Sequence, residues 1–364
     1  MKKGGNSINR HEEALKILKQ GTVIPAIPLA LDENRRFDVK GQKLLINYYS
    51  DCGVGGIAAA VHTTQFEIRE PKYNLFEPVL RTVSEEISEY EQRNGKIIVK
   101  VAGVCGENEE AVREAETAKK YGFDAVLLSP GGLNEKSEEY MIERTRAVAE
   151  IMPVIGFYLQ TACGGRQFSY DYWRQICEIP NVAAIKCASF NRYQTLEVVR
   201  AAAMSSRCSD ITLYTGNDDN IVIDLLTKYR FAKDGKIIEK GFDGGLLGHW
   251  SVWTKRAAEL FERLKQEKDK PHISPELLTL AAEVTDTNSA FFDTAHNFKG
   301  CIAGLHEILR RQGLMQNIYC LNPDETLSEG QLDELDRVCG MYPHLNDDEF
   351  VRKNLEKWKS RVTP

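Results

Sequence analysis

A lysine interrupts one of the apolar segments of the chain. Lys186 follows Val182-Ala183-Ala184-Ile185 and precedes Cys187-Ala188-Ser189, so a cation projects from a stretch that is otherwise suited to a protein interior. Burial disfavours the charged form of an amine and lowers its pKa, which frees a nucleophile that can form a Schiff base with a carbonyl substrate. The same position also suits a lysine that reaches to solvent or pairs with a carboxylate. The residue type alone leaves both interpretations open.

Other residues with reactive or polar side chains lie near the ends of apolar runs. Tyr158 ends one run, where a tyrosine either packs and caps or moves protons. His62 precedes two threonines and suits either substrate binding or a structural hydrogen bond. His62 and His249 match no metal-ligand spacing, so no metal and no cofactor are expected. Asp218 is expected to cap a helix that begins at residue 219 or 220.

The segments that must position these residues alternate between short apolar runs and amphipathic stretches. Continuous apolar runs bounded by Gly, Pro or Asn are typical of strands buried on both faces of a parallel sheet. The runs are Val23–Leu29, Gly56–Val61, Lys96–Val101, Asp124–Ser129, Val154–Tyr158, Ala183–Cys187, Ile211–Gly216 and Phe242–Gly248. Helical periodicity is clear between them, for example in Glu109–Gly122, Arg192–Met204 and Asp219–Tyr229.

Roughly eight strand–helix units of about 30 residues predict an α/β fold, a (β/α)8 TIM barrel. A doubly wound open sheet is the alternative, but no G-x-G-x-x-G follows the first strand. The strand pattern stops after about Lys270, and the remainder is typical of helices, with a long apolar-periodic stretch over Ser289–Gly313. We therefore expect residues 1–270 to form the barrel with an N-terminal helix, and residues 271–364 to form a C-terminal all-helical extension packed on it.

Composition limits the compartment and the partners. The 364 residues carry 47 Lys+Arg and 53 Asp+Glu, a net charge of −6, which argues against nucleic acid or an anionic membrane as the main partner. No apolar run approaches the roughly 20 residues of a membrane span, and the basic start lacks the apolar region of a signal peptide. The nine cysteines contain no C-x-x-C pair, so neither a disulfide framework nor a thiolate zinc site is indicated. A cytoplasmic location is expected.

Five segments of the chain together have a family resemblance. They are Gly21–Asp38, Gly53–Glu67, Ala184–Ser189, Thr215–Asp218 and Gly241–Gly248. In this order they resemble the dihydrodipicolinate synthase / N-acetylneuraminate lyase superfamily of Schiff-base-forming TIM barrels. Ala184–Ser189 (AIKCAS) is similar to the strand that bears the family's lysine, and Gly53–Glu67 is similar to the segment that ends in its G-T-T-G-E motif. The resemblance extends from about Gly21 to Gly313.

The resemblance implies a role for each matching position. Lys186 would form an imine with the ketone of a pyruvate-like 2-oxo acid. The turn of Thr63 and Thr64, beside His62, would hold the substrate carboxylate through hydroxyl and backbone N–H donors. Tyr158 would shuttle protons, helped by the hydroxyl of Thr63. The backbone from Gly244 to Leu246 would line the pocket beside the 2-oxo acid. The family's assemblies imply a homo-oligomer, a tetramer or a dimer.

Departures from the family pattern bear on the substrate. His62, Gln65 and Phe66 replace the Gly, Gly and Glu of G-T-T-G-E, and Pro130-Gly131-Gly132 replaces the P-Y-Y that carries a relay tyrosine. Leu159–Gly165 replaces the start of N-x-P-x-R-T-G, which displaces Arg166. These changes favour a class I aldolase or dehydratase that acts on another 2-oxo acid or a sugar acid. A non-catalytic barrel that binds such an acid, and a condensing enzyme similar to dihydrodipicolinate synthase, are the alternatives.

Overall fold

Eight parallel strands close into a barrel in a computed structural model that describes residues 9–362. The strands pair in chain order, and the last barrel strand pairs with the first. A bridge from Ala26 to Ala58 completes the ring. The barrel strands are β1 Val23–Pro25, β2 Gly56–Ala59, β3 Val99–Val104, β4 Ala125–Leu128, β5 Val154–Leu159, β6 Val182–Ala188, β7 Thr212–Thr215 and β10 Phe242–Leu247. Two further strands, β8 Tyr229–Lys233 and β9 Lys236–Lys240, lie outside the barrel.

Helices connect the barrel strands, so the predicted (β/α)8 barrel is confirmed. Helix α1 precedes β1, helices α2 to α9 alternate with or follow the barrel strands, and helices α10 to α13 follow the barrel. The helices are α1 Arg10–Gln20, α2 Val39–Cys52, α3 Phe76–Asn94, α4 Asn108–Lys120, α5 Glu138–Ala149, α6 Tyr170–Cys177, α7 Arg192–Met204, α8 Ile221–Leu226, α9 Thr254–Glu267, α10 Glu276–Phe291, α11 Cys301–Arg311, α12 Gln331–Met341 and α13 Asp348–Val362.

Each barrel strand sends alternate side chains into two separate cores. In β6, Ala184 and Ala188 belong to the cluster inside the barrel, whereas Ile185 and Cys187 belong to the layer between the barrel and its helices. Because successive side chains of a strand point to opposite faces, Lys186 projects inward. The expectation that Cys187 faces the helix layer is confirmed.

Helix α1 covers the N-terminal ends of the strands. Its residues Ala14 and Leu18 join the cluster inside the barrel. The carbonyl of Leu18 accepts a hydrogen bond from the Tyr214 hydroxyl at 2.7 Å, and Arg10 donates to the Ile98 carbonyl at 2.7 Å. This end of the barrel is therefore covered, while the C-terminal ends of the strands form a mouth.

The C-terminal helices differ from the prediction at one point. A single apolar-periodic stretch over Ser289–Gly313 was expected, but α10 ends at Phe291 and α11 begins at Cys301. Asp293, Asn297 and Phe298 have positive φ angles of 53°, 54° and 67°, which an α-helix cannot accommodate. The interruption directs Phe292 and Phe298 toward the mouth of the barrel. The division of the chain at residue 270 stays a prediction.

A two-stranded antiparallel hairpin, β8–β9, lies between α8 and the last barrel strand and was not predicted. Within residues 9–362, no helix is long and apolar enough to cross a membrane.

Candidate active site

Lys186 lies at the floor of the barrel mouth. The side chain is 8% exposed, and its Nζ lies 4.4 Å from the ring centroid of Phe157, the residue paired with it on β5. A Cβ atom on Gly216 would lie only 2.6 Å from Cε of Lys186. The absence of a side chain at residue 216 therefore makes room for the lysine stem as it passes β7.

Asp218 lines the same pocket, and its negative charge affects the pKa of Lys186. Burial lowers the pKa of Lys186, and the negative charge of Asp218 opposes part of that shift. Burial in turn raises the pKa of Asp218, against the opposing effects of the His249 backbone N–H and the charge of Lys186. The two shifts bring the proton affinities of the two groups closer together.

The position of Asp218 corrects the prediction that it caps a helix. Helix α8 begins at Ile221, and Asn220 occupies the capping position. The Asp218 side chain instead accepts a hydrogen bond from the His249 backbone N–H at 3.1 Å, and its carbonyl accepts one from Asn288 at 2.7 Å. The sequence places Asp218 three residues after the seventh barrel strand, at the end of the barrel where active sites lie.

Thr63 and His62 line the same pocket, whereas Thr64 lies behind them and is fully buried. The Thr63 hydroxyl donates to the Ala26 carbonyl at 2.6 Å, and the Thr64 hydroxyl donates to the Ile27 carbonyl at 2.7 Å. The hydroxyl protons thus hold the turn to the end of β1. Burial and the charge of Lys186 lower the pKa of His62 to about 4, so this imidazole is neutral at neutral pH.

Tyr158 does not lie beside Lys186. Its strand partner is Cys187, and both side chains lie in the layer between the barrel and the helices. The Tyr158 ring packs on Trp173 at 5.3 Å and on Phe168 at 5.9 Å. Since adjacent residues of a strand face opposite ways, the inward position on β5 belongs to Phe157. The proton shuttle that the resemblance implies for Tyr158 is therefore separated from Lys186 by the barrel wall.

The expected contribution of the last barrel strand is also shifted. Leu246 is fully buried inside the barrel, and Gly244 packs against Tyr214 and the backbone of Thr22, below the pocket. Both residues lie too early in β10 to reach the mouth, and Gly248, after the strand, lines the pocket instead. Arg166 lies apart from the pocket and donates to the backbone carbonyls of Asn134 and Lys136.

The upper wall of the pocket comes from loops whose proximity was not predicted from the sequence. The pocket is open to solvent, and the space within it and at its mouth is about 600 Å3. Phe190 follows β6, Cys163 follows β5, and Phe292, Phe298 and Cys301 come from the α10–α11 region. Burial raises the pKa values of both thiols, that of Cys163 to about 11, so both are uncharged at neutral pH. Long-range packing of this kind leaves no local sequence signal.

Among residues 9–362, no group of three or more His, Cys, Asp or Glu side chains is arranged to hold a metal ion.

An α/β barrel with a buried lysine at its mouth is an architecture of class I aldolase-type lyases. Residues 19–339 match the dihydrodipicolinate synthetase family. The chain belongs to this family, as its resemblance predicted, and the family contains lyases of that class.

Relatives within the family are distant. N-acetylneuraminate lyase 2 of Escherichia coli O6:H1 (strain CFT073) is 23% identical over 321 residues, 87% of this chain and 92% of that protein. Dihydrodipicolinate synthase from Bacteroides thetaiotaomicron superimposes with a TM-score of 0.71 at 17% identity, over 88% of this chain and 98% of that one. The Acinetobacter baumannii synthase complexed with pyruvate gives a TM-score of 0.69 at 20% identity, over the same shares.

Proposed function

We propose that this protein is a class I lyase, an aldolase or a dehydratase, that forms a Schiff base between Lys186 and a pyruvate-like 2-oxo acid or sugar acid. The observation that carries the proposal is the buried amine of Lys186 in a pocket at the barrel mouth that Asp218 also lines. Burial provides the neutral amine that attack on a ketone requires. Pyruvate bound to the Acinetobacter baumannii relative supports the same class of ligand.

The chemistry follows from the two groups. The neutral amine attacks the ketone carbon, water leaves, and the protonated imine draws electrons from the neighbouring carbon. Asp218, with its raised pKa, takes a proton from the substrate and later returns it, a role that suits an acid whose pKa lies near the working pH. His62 is neutral and can donate a ring N–H to the 2-oxo acid carboxylate beside Thr63. Proton transfer by Asp218 replaces the role that the resemblance implied for Tyr158.

Borohydride trapping tests the proposal. The full-length protein is incubated with pyruvate and a panel of other 2-oxo acids, reduced, digested and mapped by peptide mass. A reduced adduct is expected on Lys186 and is expected to be absent from Lys186→Met.

Lys100 provides a matched control, because it is also a buried lysine whose pKa burial lowers, to about 8. Its Nζ lies outside the barrel interior and donates to the Ser84 carbonyl at 3.0 Å and to Ser88 at 2.7 Å. Lys100→Met should therefore keep the adduct on Lys186. Full turnover by Lys186→Met, or no adduct with any 2-oxo acid in the folded protein, would overturn the proposal. Ligand binding without an adduct would favour the non-catalytic barrel.

The homo-oligomeric state and the cytoplasmic location stay predictions. Multi-angle light scattering of the full chain would distinguish a tetramer or a dimer from a monomer.

A further inference from the structure

The part of the pocket that would receive a second reactant carries little charge. Lys186 is its one cation and Asp218 its one carboxylate among the lining residues that the structure describes, and His62 is neutral at neutral pH. The positive charge of a protonated imine is matched by the carboxylate of the 2-oxo acid itself. A second anionic group on the other reactant would therefore be buried without a counter-ion, which is strongly unfavourable.

Arg166 does not supply the missing charge. Its guanidinium lies over the ring of Phe168, at 5.3 Å from the centroid, and is bonded to loop carbonyls outside the pocket. A carboxylate or a phosphate on the second reactant would thus find no guanidinium at the pocket wall.

Hydroxyl-rich reactants are also poorly matched. The Thr63 hydroxyl donates to the Ala26 carbonyl, and the Asp218 side chain accepts from the His249 backbone. Both groups can still accept a hydrogen bond, and Gln160 and His62 are the other hydrogen-bonding side chains of the described lining besides the imine-forming lysine and two thiols. A polyol chain would bury more hydroxyls than these groups can pair.

Aromatic side chains form much of the remaining wall. Phe190 and Phe298 meet edge to face, with their ring centroids 5.9 Å apart, and Phe292 lies beside them at the mouth. Phe190 and Phe298 have positive φ angles of 52° and 67°, which are strained for bulky residues. Backbone hydrogen bonds hold both in place, from Phe190 to the Asn217 side chain and from Phe298 to the Asp293 carbonyl, each at 3.0 Å. Two separate loops thus adopt strained backbone conformations that place apolar rings in the pocket wall.

We propose that the compound which leaves, or adds to, the Lys186 adduct is an uncharged apolar aldehyde with an aromatic or aliphatic group. The proposal rests on the proposed function of Lys186. It favours the aldolase over the dehydratase and disfavours sugar acids.

The reaction balances without an oxidant or a reductant. The neutral amine of Lys186 attacks the ketone of a 4-hydroxy-2-oxo acid, water leaves, and the resulting imine takes a proton from Asp218. The C4 hydroxyl then gives its proton to the Asp218 carboxylate as the C3–C4 bond breaks, and the bonding pair moves to the imine to form an enamine. C4 leaves as the aldehyde, and C3 takes the proton from Asp218. Water hydrolyses the protonated imine to pyruvate and the free amine, and the first proton returns to Asp218.

Condensation in the reverse direction tests the substrate class. The full-length protein with pyruvate is given benzaldehyde, glyceraldehyde or succinic semialdehyde at equal concentration, and the products are quantified by mass spectrometry. We expect kcat/KM for benzaldehyde to exceed each of the others at least 10-fold. In Phe298→Ala, this ratio is expected to fall about 10-fold, whereas Phe231→Ala, a half-buried phenylalanine of the β8–β9 hairpin, should keep it.

The outcomes separate the two proposals. If borohydride traps pyruvate on Lys186 but benzaldehyde reacts no faster than the charged or the hydroxylated aldehyde, or does not react, the apolar substrate class is overturned and the Schiff-base function stands. If pyruvate is not trapped at all, both proposals fall. The preference of the unsubstituted protein is decisive even if Phe298→Ala fails to fold.

Discussion

Replacement of Gly216 by alanine tests whether Lys186 must lie where the structure has it. A Cβ atom at residue 216 would lie 2.6 Å from Cε of Lys186 and 2.8 Å from Cβ of Ala188, closer than real Cβ contacts. Ala188 belongs to the paired strand β6 and cannot yield easily, whereas the lysine stem is flexible. The lysine is therefore the group that should move.

The size of the effect follows from this geometry. Carbon atoms prefer separations of about 3.5–4.0 Å, so the lysine stem must move by roughly 1 Å. A displacement of about 1 Å at a reacting group can cost about 10²-fold in rate, and we expect pyruvate trapping to slow by that factor. Overpacking costs about 1–3 kcal/mol, and because the Cβ atom of Ala188 cannot move aside as the lysine stem can, Tm should also fall by several degrees.

A borohydride time course and a thermal melt are both needed. Gly340→Ala is the matched control, because a Cβ atom there meets nothing within 4 Å. It should leave the trapping rate unchanged, and because alanine favours the helix α12 over glycine, Tm should stay the same or rise slightly. Trapping by Gly216→Ala at the rate of the unsubstituted protein would refute the placement of the lysine. A large loss of Tm would show instead that the lysine does not yield.

Three further substitutions give separate tests. Tyr158→Phe should keep turnover within a few-fold, because the hydroxyl receives only a long hydrogen bond of 3.4 Å from Phe168 in the helix layer; a loss of about 10²-fold or more would restore the shuttle that the resemblance implied. Asp218→Asn should lower turnover by about 10²–10⁴-fold and, since loss of the negative charge lowers the pKa of Lys186 further, should move the pH profile of pyruvate trapping to lower pH; an unshifted profile would contradict their coupling. Lys186→Met should raise Tm at pH 7, because burial depresses the lysine pKa from its ordinary value of 10.5 and the unfolded chain binds the proton more tightly. That gain should shrink as pH rises from the lowered pKa toward the ordinary one, and melts that show a pH-independent gain would argue against the buried ammonium.

The fold could be predicted because its signal is local and repeated. Each buried strand appears as a short apolar run, and the alternation around Ala184 and Ala188 is enough to direct Lys186 inward. The β8–β9 hairpin also carries a local signal in its turn. Asp234-Gly235 lies between β-forming residues, and both have positive φ angles, 50° and 73°, as a tight type I′ turn requires.

The site could be predicted only in part because it depends on pairing between distant segments. Tyr158 ends an apolar strand just as Lys186 nearly does, yet the pairing of Phe157 with Lys186 turns the tyrosine to the other face. That pairing cannot be inferred from either strand alone. The contact of Phe298 with Phe190 is harder still to predict, because the two residues are separated in the sequence by the last two barrel strands.

The reactive residues and much of the apolar wall of the pocket come from different parts of the chain. Lys186 lies in β6 and Asp218 follows β7, whereas Phe292, Phe298 and Cys301 belong to a segment that follows the last barrel helix. Changes in that segment could alter which molecules fit while leaving the reactive strands untouched. Such a protein could acquire new substrates by remodelling its C-terminal third, and a chimaera that exchanges this segment with a relative would carry the relative's preference without its chemistry.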